Sequence, residues 1–107
     1  MSHNSEHLRS ASLNPILSAA QADPQIERVY LFGSRARGTA NAFSDVDIAI
    51  ICTDPAQINR VALNIAAETV DAPVSFTYIQ SDTFQTDDHP LHVSSSVKKE
   101  GILLWQK

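Results

Sequence analysis

Two spacings of apolar residues alternate along this chain. Leu13, Ile16, Leu17 and Ala20 recur at helical spacing up to about residue 22, with Asn14 and Pro15 as N-cap and first helical position. Asp23-Pro24 breaks that pattern, and residues 26–32 read as a first strand ending in the apolar run Val29-Tyr30-Leu31-Phe32. Residues 39–44 are a polar loop. Residues 45–52 form a second strand, with Val46, Ile48 and Ile50 on one face. Thr53-Asp54-Pro55 opens a helix to about residue 69, whose apolar face is Ile58, Val61, Ala62, Ile65 and Ala66 and whose simplest role is to cover the sheet. After the turn Asp71-Ala72-Pro73, residues 74–79 alternate as a third strand, and Ser81-Asp82 caps a short turn containing Phe84. Residues 85–90 are a polar, acidic loop. Residues 90–100 make a last helix, with Gly101 as C-cap and Lys98 and Lys99 favourable near its end. Residues 102–105 are a short final strand. This alternation predicts an α+β (mixed α/β) fold, a small sheet covered by helices. Residues 1–11 are expected to be a flexible leader, and 12–107 one domain.

Composition narrows the function classes. The chain has 107 residues, 43% hydrophobic and 19% charged, which suits one soluble globular domain. No apolar run is long enough to span a membrane, and the polar N-terminus is not a signal peptide. The single cysteine, Cys52, forbids an internal disulfide and fits a reducing, cytoplasmic setting. Its place at the end of an apolar strand assigns it to core packing. A net charge of -4 opposes nonspecific nucleic-acid binding, which needs Lys and Arg to neutralise phosphates. The basic residues form no stripe. Arg35 and Arg37 instead flank a single turn, as suits a small anionic ligand.

That turn carries the candidate chemistry. In Phe32-Gly33-Ser34-Arg35-Ala36-Arg37-Gly38 a strand ends, Gly33 permits a sharp turn and a close ligand, and Ser34 can cap a short helix. Unpaired N–H groups at a helix start can hold phosphate. In Ser44-Asp45-Val46-Asp47 two carboxylates, two residues apart, project from one face of a strand. Side by side they repel, and a divalent cation that prefers hard oxygen ligands removes the repulsion. A phosphate cradle a short loop away from such a pair describes a nucleoside-triphosphate site. Ser44 reads as a turn residue that orients Asp45 indirectly. His89 and His92, at i and i+3 around Pro90, read as surface histidines, and Phe76, Tyr78, Phe84, Trp105 and Tyr30 as core or interface.

Gly33-Ser34 followed by Asp45-Val46-Asp47, each after a strand, resembles the signature of the DNA polymerase β-like nucleotidyltransferase superfamily. The fuller string and the short length resemble its minimal nucleotidyltransferase branch. The resemblance implies a two-layer fold with a mixed sheet. It further implies Mg²⁺ held by Asp45 and Asp47 as catalytic carboxylates, and phosphates bound at Gly33 and Ser34, with Arg35 and Arg37 beside them. The implied activity is transfer of a nucleoside monophosphate, AMP from ATP, to an acceptor hydroxyl. The implied partner is a HEPN-domain toxin, silenced by this chain as its antitoxin; a homo-oligomer is left open.

One position departs from the family pattern. The third acid belongs early on the strand after the long helix, where this chain has Ser75. A serine cannot replace a carboxylate as metal ligand or base, and neither can Thr77 on the same face. Asp71, Asp82, Asp87 and Asp88 are the acids that could swing in. Two readings therefore stay open: an enzyme, or a nucleotide- or partner-binding module that lacks the third carboxylate.

Overall fold

In the computed structural model of this protein, residues 13–39 and 45–107 are described. The expected leader and Ser44 lie outside them. The chain order is α1 (Asn14–Ala22), β1 (Ile26–Phe32), α2 (Ser34–Arg37), β2 (Val46–Cys52), a 3-10 turn (Pro55–Gln57), α3 (Arg60–Ala67), β3 (Val74–Gln80), α4 (Ser81–Thr86), α5 (Val93–Glu100) and β4 (Ile102–Gln106). The four strands form one mixed sheet in the order β3-β2-β1-β4. β1 is antiparallel to β2 and to β4, whereas β2 and β3 are parallel and joined through α3. This is the mixed sheet that the resemblance implies.

Strand alternation sends side chains to two faces. On one face Val46, Ile48, Ile50 and Cys52 of β2 join Val29 and Leu31 of β1 beneath Ile16 and Ala20 of α1 and Leu63 and Ala66 of α3. This is the principal core, and α1 packs directly on α3. On the other face Ala49 and Ile51 meet Ile79, Phe84 of α4 and Val97 of α5, with Tyr30 and Phe32 alongside. Among the described residues, the smaller cluster covers only part of its face and does not extend to the N-terminal end of β2. Cys52 is fully buried, and burial pushes its thiol up to about 11, in keeping with a packing role. The aromatic residues assigned to the core pack there: Phe76, Tyr78 and Trp105 against the large cluster, and Phe84 in the small one.

Several element boundaries differ from the sequence expectation. The helix expected from residue 55 to 69 is split in two. Asp54 accepts a bond from the Ala56 N–H at 3.0 Å and starts the 3-10 turn, and Asn59 accepts from the Ala62 N–H at 3.2 Å and starts α3. Two capping side chains five residues from each other each begin their own element. The expected apolar face is also rotated: Leu63 and Ala66 are buried, while Val61 and Ile65 are 67% and 60% exposed. α5 starts at Val93 rather than Pro90, and α1 takes in Asn14, which makes no side-chain cap. Gly101 ends α5 as expected, but at an ordinary φ of -67°. Its reason is space: a Cβ there would strike the Val97 carbonyl and come within 3.2 Å of the Tyr30 ring.

Candidate active site

The site begins where β1 ends. Phe32, the last residue of β1, is the register partner of Asp47 on β2. Gly33 then turns the chain at φ +75° and ψ -155°, a conformation that side chains rarely adopt. The turn lays the Gly33 backbone directly on the Asp47 carboxylate. A Cβ at Gly33 would fall on Oδ2 of Asp47 and lie 3.2 Å from its Cγ. Glycine is favoured here by φ, and any larger residue would also push the Asp47 carboxylate aside. The turn after β1 and Asp47 thus lie side by side.

α2 follows at once. Ser34 is its first residue rather than its cap, because Gly33 occupies the cap position and its carbonyl accepts from the Arg37 N–H at 3.1 Å. No side chain caps this helix. Arg37 turns toward the end of α5 and pairs with Glu100, Nη1 to Oε2 at 2.9 Å. Its charge still reaches the pocket, where it lowers the pKa of Asp47. Arg35 lies on the same short helix.

Asp45 immediately precedes β2 and is exposed; Asp47 is half-buried inside the strand. The Asp47 pKa is raised, first by burial and then by the neighbouring Asp45 charge, with Arg37 partly offsetting both. Two repelling carboxylates, one desolvated, form a donor set of hard oxygens that suits a divalent cation. Across the parallel ladder, Ser75 is the register partner of Asp47. The position expected for a third acid is therefore the one beside Asp47, and it carries an exposed hydroxyl.

Against this geometry, the family described as Polymerase beta, Nucleotidyltransferase matches residues 14–107. The chain belongs to the polymerase β nucleotidyltransferase family. Comparison with curated proteins gives no match. Among solved structures, the chain is similar to a protein from Sulfolobus solfataricus provisionally assigned as a nucleotidyltransferase. Identity is 21%, coverage 95% of this chain and 82% of the other, and TM-score 0.58. It is also similar to a toxin–antitoxin crystallised with AMP-PNP, at 24% identity, 88% and 73% coverage, and TM-score 0.63. A mutant of the toxin–antitoxin MntA-HpeT matches at 22% identity, 88% and 73% coverage, and TM-score 0.62. At these identities the structures share the nucleotidyltransferase fold with this chain.

Among the described residues, no further acid joins Asp45 and Asp47. No three His, Cys, Asp or Glu side chains among them converge as a metal-ligand group. Asp82 and Asp87 follow the C-terminal end of β3, whereas Ser75 stands at its start. Asp87 is engaged there. It accepts from the His89 N–H at 3.1 Å and lies 2.8 Å from Nδ1 of His92, and these contacts hold its pKa below the usual carboxylate range. His89 and His92 stack with ring centroids 4.4 Å apart, on the surface as expected. The residue near the pocket that sequence reasoning passed over is Glu100. It comes 63 positions after Arg37, and no local pattern signals such a contact.

Proposed function

We propose that this chain transfers a nucleoside monophosphate, AMP from ATP, to a hydroxyl on a protein partner, in a reaction that requires Mg²⁺. The partner in this reading is a HEPN-domain toxin, and the chain is its antitoxin. The observation that carries the proposal is the close approach of the Gly33 backbone to the Asp47 carboxylate, which supports a phosphate cradle working beside an acid pair. Family membership supports the reaction class. Support for ATP and for a toxin partner comes from the fold shared with a toxin–antitoxin crystallised with AMP-PNP.

In this reading the amides at Gly33 and Ser34 bind the outer phosphates. Arg35 and Arg37 add positive charge beside them, Arg37 being oriented by Glu100. Asp45 and Asp47 are the residues that would hold Mg²⁺, and the raised pKa of Asp47 fits a carboxylate awaiting a cation. When bound, Mg²⁺ neutralises phosphate charge and favours in-line displacement at the α-phosphate. Ser75 supplies no carboxylate to accept the acceptor's proton. The free thiol of Cys52 fits a cytoplasmic location. Among the described residues no helix is long and apolar enough to cross a membrane.

Ser75 also favours a second reading, a module that binds nucleotide or partner without turnover. Incubation with α-labelled ATP, Mg²⁺ and a candidate HEPN protein separates the two. Transfer to the partner that disappears in Asp47→Ala is the expected outcome. Tight partner binding that survives Asp45→Ala and Asp47→Ala, with no transferred label, would leave the binding module.

A further inference from the structure

We propose that Ser75 is an acceptor in cis: with a nucleoside triphosphate in the pocket, the chain transfers the nucleotidyl group to its own Ser75 hydroxyl. The inference rests on the cradle and acid pair assigned above and names an acceptor for that same site.

Three positions lie in one row across the sheet. Phe32, which leads into Gly33, is the register partner of Asp47, and Asp47 is the register partner of Ser75. Neighbouring strands are about 4.8 Å apart, so the β1 end and Ser75 stand roughly 10 Å from each other with Asp47 between them. Ser75 shares its face with Ile79, four residues on, which is buried against Ala49 and Ile51. Asp47 lies on that same face, two and four residues before Ala49 and Ile51. Unlike Ile79, Ser75 is exposed, because the small cluster stops short of this end of the sheet. Thr77, the other hydroxyl on the face, pairs with fully buried Ala49 and is set back from the row.

This row has the layout of an in-line displacement. A triphosphate with its outer phosphates at Gly33 and Ser34, and its α-phosphate over the acids, has its leaving group toward β1 and Ser75 on the opposite side. A hydroxyl held on a strand beside the reacting phosphorus also has a high effective concentration. In the step, a bond forms between Ser75 Oγ and the α-phosphorus. The bond from that phosphorus to the bridging oxygen breaks, and pyrophosphate leaves with the electron pair. The Oγ proton passes to solvent, to which Ser75 is open, and nothing is oxidised or reduced.

The test uses the full chain with Mg²⁺ and each of the four nucleoside triphosphates in turn, labelled at the α- or the γ-phosphate, followed by intact mass and peptide mapping. The expected result is α-label without γ-label, a gain of one nucleotidyl group on the peptide containing Ser75, and loss of that label in Ser75→Ala. An unlabelled wild-type chain, label from the γ-phosphate, or α-label mapped to any other residue overturns the inference. Calorimetry with nonhydrolysable analogues of the same nucleotides separates it from the reading beneath it. Binding without labelling removes self-transfer alone, whereas no binding with any of the four removes the proposed function as well.

Discussion

A single glycine sets how closely the turn after β1 approaches Asp47. Gly33 combines a φ of +75° with a backbone laid against Asp47. Gly33→Ala is therefore expected to cost about 1 to 3 kcal/mol of stability through backbone strain and to displace the carboxylate. Chemical denaturation should show the loss, and calorimetry should show Mg²⁺-nucleotide binding abolished. Asp47 carries a second, pH-dependent prediction. Its folded-state pKa is raised by burial and by Asp45, so the folded form holds the proton more tightly than the unfolded chain does. That contribution is fully present below the unfolded aspartate pKa and is lost as pH rises through the raised value. Metal-free protein should lose stability over this window, and Asp47→Asn should lose less. Urea unfolding across the acidic range checks the difference; identical profiles would refute it. The pairing of these two residues was legible as motif, since Gly33-Ser34 and Asp45-Val46-Asp47 stand a short loop from each other. Their contact was not, because it depends on the register between β1 and β2.

At the scale of elements, period and punctuation gave most of the fold. The first strand has the expected bounds, and β2, β3 and β4 differ from expectation by one residue at one end. Helix starts were less legible, because capping residues compete: Asp54 and Asn59 each cap a separate element where one continuous helix fits the pattern. α3 also shows why an apolar stripe does not by itself name its buried edge. Val61, Leu63, Ile65 and Ala66 spread around more than half the helix, and the sheet takes only Leu63 and Ala66. Leu63→Ala is expected to cost roughly 2 to 5 kcal/mol. The double variant Val61→Ser with Ile65→Ser should stay within about 0.5 kcal/mol per site. Denaturant midpoints compare them directly, and equal losses would mean that the helix is seated differently.

For the whole molecule, the sheet order β3-β2-β1-β4 puts β2 between the turn after β1 and the start of β3. Everything proposed for the pocket lies at that end of β2. Mg²⁺ and ATP together should therefore stabilise the fold by roughly 2.7 kcal/mol at about 100 times the dissociation constant, seen as a rise in Tm. The rise should vanish in Asp47→Ala, and a rise that persists there would place the nucleotide elsewhere. Taken alone, the order of residues along the chain determined the strands, the family signature and the serine at position 75, where the resemblance implies an acid. These are local features, set by spacing, by capping chemistry and by backbone freedom at glycine. Only the tertiary structure decided that Gly33 touches Asp47, that Ser75 stands directly beside it, and that Glu100 reaches back to Arg37. Strand register and sheet order bring such pairs together across long stretches of chain, and no periodicity within one segment encodes a partner in another.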